Sequence, residues 1–226
     1  LPGVLRRSLE RTVKALPDVG PFRGVYRRGK RFFAAVGEEP RRRYARWMSV
    51  FSEAGKTRLY APAFREAMAG HDSAEILFDA YDEAEACDPI DVHLAVDVAT
   101  YLPDDLLVKV DIASMAHSLE ARSPMVDHVF MEFAAKLPER YKLNGHSSKY
   151  LLKKAFHDLL PPEVLHRPKA GFGIPLAQWL RRDLRETVYE ALLQAALEAL
   201  GYFKRDAIER FLDEHASGRR DWATQL

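Results

Sequence analysis

Apolar residues recur at three- and four-residue steps along most of this chain, and the strict alternation of a half-buried strand is almost absent. Val4, Leu5, Leu9, Val13 and Leu16 predict an amphipathic helix over 2–16, broken by Pro17-Asp18-Val19-Gly20-Pro21. Phe22 to Val36 repeats the pattern. Tyr44, Trp47, Met48 and Phe51 mark a third helix, Phe64 to Met68 a short one, and Asp72-Ser73 caps another through Ala84. Asp88 or Pro89 opens a helix with Ile90, Leu94, Val98 and Leu102 on one face. Pro103 is expected to end it, and Asp104-Asp105 to start the next, through Leu119. Further helices are predicted over 129–137, 149–160, 176–200 with a break near Arg182, and 205–215. Extended pieces are expected only near 121–123 and 141–143. The literal reading is an all-helical bundle. The preferred one is the helical portion of a larger α/β domain whose sheet lies upstream.

Composition narrows this only a little. The 226 residues are 47% hydrophobic and 30% charged, ordinary for a globular chain, with no run long enough to span a membrane. A single cysteine, Cys87, excludes an internal disulfide and fits a reducing compartment, so a cytoplasmic location is expected. The net charge of +1 hides an asymmetry. Residues 1–70 carry 16 lysines and arginines against six acids, whereas 71–110 carry eleven acids against one lysine. A basic first third could meet nucleic acid, but the usual recognition motifs are missing, and a solvated helical surface explains it better. His93, His117, His128 and His157 show no metal-ligand spacing, so no metal site is expected here.

Two phrases carry chemistry without helical or strand periodicity: Ser118-Leu119-Glu120-Ala121-Arg122-Ser123-Pro124-Met125-Val126-Asp127, and His166-Arg167-Pro168-Lys169-Ala170-Gly171-Phe172-Gly173-Ile174-Pro175. In the second, Lys169 stands between a rigid proline and two glycines that free the backbone. A mobile loop of this kind can carry an ammonium to a reacting anion; a lysine in a surface turn is the plain alternative. In the first, Glu120 and Arg122 alternate in an extended stretch and can pair. A buried pair there would rigidify the turn that runs to Asp127. Asp105 and Lys109 lie four apart on one helix, an ion-pair spacing, with Asp111 close by.

These phrases, read with Tyr101-Leu102-Pro103-Asp104-Asp105-Leu106-Leu107-Val108-Lys109-Val110-Asp111 and Ser148-Lys149-Tyr150-Leu151-Leu152-Lys153-Lys154-Ala155, resemble glutamine-hydrolysing asparagine synthetase of the bacterial type in order and spacing. The resemblance runs from about residue 97 to 180. It implies a mainly α chain: the helical C-terminal portion of an α/β ATP-pyrophosphatase (adenine nucleotide α-hydrolase-like) domain whose parallel sheet lies mostly upstream. It divides the chain into a variable helical region, 1–96, and a C-terminal helical part, 97–226, with the catalytic-loop motif at 166–176.

The activity so implied is ATP-dependent adenylation of the aspartate β-carboxylate, followed by displacement of AMP by ammonia from an N-terminal glutaminase domain of the same polypeptide. ATP and Mg2+ would be held mainly by residues upstream. The chain is expected to be a fragment, inactive alone, since the serine-glycine-glycine pyrophosphate loop does not occur in it. Lys169 matches the family's mobile-loop lysine, and Asp105 lies at or beside a carboxylate near the acceptor site. Glu120, Arg122 and Asp127 match the structural turn beneath that site. Aspartate or a related carboxylate is the expected substrate, a homodimer is an open expectation, and neither nucleic acid nor membrane is an expected partner. Relatives that close β-lactam rings, cyclise peptides or amidate polysaccharides keep the acceptor open, and a helical nucleic-acid-binding module is a more distant alternative.

Overall fold

The computed structural model of the protein describes residues 38–86, 88–168, 174–194 and 200–226. They are mainly helical. Their sheet is a two-stranded antiparallel hairpin pairing Leu143 with Ser148 and Asn144 with Ser147. Two compact units emerge: the described residues up to Ala74 with those from Ile174 onward, and the described residues from Glu75 to Pro168. The helices expected over 2–16 and 22–36, Cys87, and the loop residues Lys169, Gly171, Phe172 and Gly173 lie outside the described residues.

In the second unit, helix Glu75–Asp82 packs on helix Pro89–Ala99. Val96 is wholly enclosed and Ala80 nearly so. The edge of one ring meets the face of the other where Tyr81 and His93 pack, centroids 5.5 Å apart. Lys142 donates to Asp91 at 2.7 Å and to the Ala135 carbonyl at 3.0 Å. Both members of that ion pair are largely out of water, which ties helix Glu139–Lys142 to helix Pro89–Ala99.

The expected break between two helices is present but falls earlier than the sequence pattern predicts: helix Pro89–Ala99 ends at Thr100, three residues before Pro103. Leu102–Leu107 winds as a π-helical stretch that runs directly into helix Val108–Met115. Pro103 sits in the first turn of that stretch, where a missing N–H is tolerated. The helix expected to reach Leu119 stops at Met115. Much of this unit's apolar surface faces outward, including Val110, Ile112, Met115, Leu119, Val129 and Phe133.

The first unit is organised by helix Arg205–Ala216, whose Ala207, Phe211, Leu212 and His215 are buried on one stripe. Leu59, Ala207, Phe211 and Trp222 form one core cluster; Leu180, Val188 and Leu212 form another. The Phe211 and Trp222 rings stack at 4.2 Å. Burying Phe211 alone contributes about 1.5–3 kcal/mol. Helix Glu53–Leu59, absent from the sequence reading, is capped by Ser52, whose hydroxyl accepts from the Gly55 N–H at 3.2 Å. The break near Arg182 is present, between helices Leu176–Arg181 and Arg185–Leu193.

His215 is the polar member of this core, 1% exposed. Its Nδ1 accepts from the Trp222 backbone N–H at 3.0 Å, so the proton sits on Nε2, which donates to the Ala177 carbonyl at 3.2 Å. Burial, followed by the nearby Arg181 cation, lowers its pKa from 6.5, against smaller opposing effects of the Ala177 carbonyl and Asp221. A histidine depressed in the folded state takes up its proton sooner when unfolded. Its contribution to stability is therefore complete above 6.5 and is lost as pH falls below that value towards the folded pKa. The melting temperature of the wild type relative to His215→Gln should accordingly be highest above pH 7 and decline on acidification. A difference that does not change with pH would show that His215 is not held neutral.

Candidate active site

The π-helical stretch gives the first candidate group its geometry. The Tyr101 hydroxyl faces the Asp105 carboxylate from one turn before it. Lys109 Nζ reaches Asp105 Oδ1 from one turn after, at 3.3 Å. Asp105 thus lies between a phenol and an ammonium. The pull of Asp105 on the phenolic proton, and then its charge, push the Tyr101 pKa above 10.0, because a phenolate there would face a carboxylate. Asp97 adds a smaller effect of the same sign and Lys109 opposes it. All of this lies at the surface, with Asp105 and Lys109 about half exposed. A π-helical turn is uncommon and is found often at functional sites.

The second candidate group is built by a reversal of the chain. After helix Val108–Met115, Ser118 adopts the left-handed conformation at φ 57°. Its N–H donates to the Met115 carbonyl at 2.9 Å, and the Leu119 N–H to the Ser114 carbonyl at 3.1 Å. This closes the helix in the manner usually left to glycine, at a cost of about 1–2 kcal/mol in backbone strain. An extended segment follows, then a 3₁₀ turn at Pro124–Val126. Asp127 caps helix His128–Lys136, its Oδ1 accepting from the Phe130 N–H at 3.1 Å. Glu120 and Arg122 pair at 2.9 Å across the extended segment.

The expected burial of that pair is not found. The Arg122 side chain is 84% exposed and that of Glu120 66%. Alternation along an extended chain does bring the two together, but no described element covers them, so the pair is solvated rather than enclosed. Asp105 with Lys109 and Glu120 with Arg122 remain two separate pairs, with no hydrogen bond or ion pair between them. Lys169 lies outside the described residues. Tyr101 is the partner that the sequence reading passed over; its four-residue spacing from Asp105 was the available signal. Among the described residues no group of three or more His, Cys, Asp or Glu is placed to hold a metal ion, and no helix is long and apolar enough to cross a membrane.

The chain is mainly helical over its described residues, and its sequence carries the Pro168-Lys169-Ala170-Gly171-Phe172-Gly173 phrase. It belongs to the asparagine synthase family, whose model, described as Asparagine synthase, matches residues 7–226. A Mycobacterium bovis protein that carries the provisional name asparagine synthetase (glutamine-hydrolysing) is 34% identical over 227 residues, covering 100% of this chain and 33% of its own length. Asparagine synthetase (glutamine-hydrolysing) 1 of Bacillus subtilis is 33% identical over 141 residues, 62% of this chain and 22% of that protein. The human asparagine synthetase (glutamine-hydrolysing) is 32% identical over 136 residues, 51% of this chain and 23% of that protein. The chain thus spans about a third or less of the curated relatives it matches. No solved structure matches it.

Exposed ion pairs are worth about 0–1 kcal/mol. A double-mutant cycle over Glu120→Ala and Arg122→Ala, read by denaturant unfolding, should therefore return a coupling of about 1 kcal/mol or less. A coupling of several kcal/mol would mean that the pair is enclosed after all.

Proposed function

We propose that this chain serves glutamine-dependent asparagine synthesis, as the helical part of an ATP-pyrophosphatase domain whose parallel sheet comes from elsewhere in the polypeptide. The observation that carries the reading is the family match over residues 7–226. The outward apolar side chains of the second unit support it, since so much exposed hydrophobic surface calls for a covering layer. On this reading residues 1–96 are a variable helical region, and 97–226 hold the catalytic-loop motif at 166–176.

The reaction joins a carboxylate to ammonia in two steps. The aspartate β-carboxylate attacks the α-phosphorus of ATP and pyrophosphate leaves. Ammonia, released from glutamine by a glutaminase domain of the same polypeptide, then adds to the acyl carbon and AMP departs. Lys169 is assigned the task of neutralising charge that builds on the α-phosphate and leaving group, a task suited to a fixed cation in a water-poor site. Asp105, paired with Lys109 and faced by Tyr101, is assigned to the acceptor side. Glu120, Arg122 and Asp127 are assigned to the turn that shapes the floor of the site. As the family resemblance implies, Mg2+ and most of the nucleotide are assigned to residues upstream of this chain. The reading makes the protein cytoplasmic, without nucleic-acid or membrane partners, and admits a homodimer.

Loss of one preorganised charge-stabilising donor costs about 3–4 kcal/mol, or about 10²–10³ in rate. In the complete polypeptide, Lys169→Ala should lower ammonia-dependent pyrophosphate release by that factor and leave glutamine hydrolysis near the wild-type rate. Equal loss of both activities, or retention of both, would remove Lys169 from the proposed role.

A further inference from the structure

We propose that a surface cavity in the first unit, walled by Arg181, Arg185 and Arg219, binds a phosphate-class anion. The cavity measures about 410 Å³, and Asp213, Ala216 and Ser217 complete its lining. Three guanidinium groups and one carboxylate leave an excess of two positive charges around a single concavity.

The plain alternative is that the arginines serve the C-terminal end of helix Arg205–Ala216, where the helix dipole favours cations. The hydrogen bonds argue against this for two of the three. The Asp213 carbonyl already accepts from the Ser217 N–H and hydroxyl, at 3.0 and 2.7 Å. The Glu214 carbonyl accepts from the Arg220 N–H at 3.1 Å. The His215 carbonyl accepts from the Gly218 N–H at 3.1 Å and from Arg181 Nε at 2.9 Å. Arg181 is thus a capping residue, and it also approaches Asp221 at 3.8 Å. Arg185 and Arg219 cap nothing.

Those two cations also lack a carboxylate partner among the described residues. The Arg185 guanidinium rests over the Tyr189 ring at 5.3 Å, a contact that leaves its N–H donors unspent. Arg219 spends only Nε, on the Ser217 hydroxyl at 3.1 Å, so its two terminal nitrogens are unspent. Asp213 is the one acid in the lining, and its Oδ1 lies 3.5 Å from the Tyr189 hydroxyl. Two planar donor forks with unspent N–H groups, beside a third guanidinium, match the oxygens of a phosphate, which guanidinium groups bind in bidentate fashion. The cavity lining is mostly polar and the site open, so charge and hydrogen bonding would hold the ligand, and a phosphate group suits this better than an apolar molecule.

The test is calorimetric titration of the complete polypeptide with inorganic phosphate, pyrophosphate or AMP, at matched ionic strength. The wild type and the exposed-site control R182Q should show the same saturable event with at least one probe. R185Q/R219Q should weaken that event about tenfold or more, as expected for losing charge-assisted hydrogen bonds. R219Q alone should give a partial loss, and all variants should melt as the wild type does without added anion. Pyrophosphate and AMP are also products of the proposed reaction, so only the event weakened in R185Q/R219Q reports on this cavity. For that event, tightest binding of phosphate or pyrophosphate would identify the free anion as ligand, and tightest binding of AMP the phosphoryl group of a nucleotide. Saturable binding unchanged in R185Q/R219Q, or none in the wild type, would overturn the proposal.

Discussion

Helix Arg205–Ala216 can bury Phe211, Leu212 and His215 together only if the two ring nitrogens of His215 find partners inside the same layer. An unpaired buried polar atom costs about 1–3 kcal/mol, enough to offset the gain from burying a neighbouring apolar side chain. The partners come from opposite directions. The Trp222 N–H arrives from the segment after the helix, and the Ala177 carbonyl from helix Leu176–Arg181. Trp222 is in turn placed by its indole N–H, which donates to Glu214 at 2.8 Å, and by Arg220, which lies over its ring at 4.0 Å. The aromatic stack on Phe211 and the polar core at His215 therefore depend on the same few residues.

The second unit follows a different logic. It encloses Val96 and Ala80, and it relies on a shielded Lys142–Asp91 ion pair to hold a short helix in place. Exposed apolar side chains lie at alternate positions of helix Val108–Met115, at Val108, Val110 and Ile112, and so are not confined to one stripe. A helix apolar around much of its circumference is stable in water only when other structure covers it. The same condition bears on the solvated Glu120–Arg122 pair, which lies just beyond that helix.

Much of the helical content was legible from apolar spacing, and so was the break near Arg182. Helix Glu53–Leu59 escaped because its only buried residue is Leu59; its start is marked by Ser52, a capping signal without apolar periodicity behind it. Pro103 marked a real break, since helix Pro89–Ala99 ends at Thr100, but not where the next helical stretch begins. Proline stops a helix when it removes a needed N–H, and here it stands in the first turn of a π-helical stretch. That local widening is not encoded in a hydrophobic pattern of period 3.6. The Glu120–Arg122 pairing follows from alternation in an extended segment, whereas its exposure depends on surrounding structure that spacing cannot reveal. The setting of Asp105 is half legible: the spacing gives Lys109, but Tyr101 reads at first as one more apolar position.

The phrase that contains Lys169 ends at a well-anchored place. Pro175 opens helix Leu176–Arg181, and its carbonyl accepts from the N–H groups of Gln178 and Trp179. Leu180 is buried in the core, the Ala177 carbonyl accepts from His215, and Arg181 donates back to the His215 carbonyl. A short helix of six residues has little stability of its own. It holds because the histidine at the centre of the core fastens it at two points. The bonds that make His215 tolerable in an apolar layer thus also fasten helix Leu176–Arg181, so packing of the first unit and placement of that helix rest on one set of contacts.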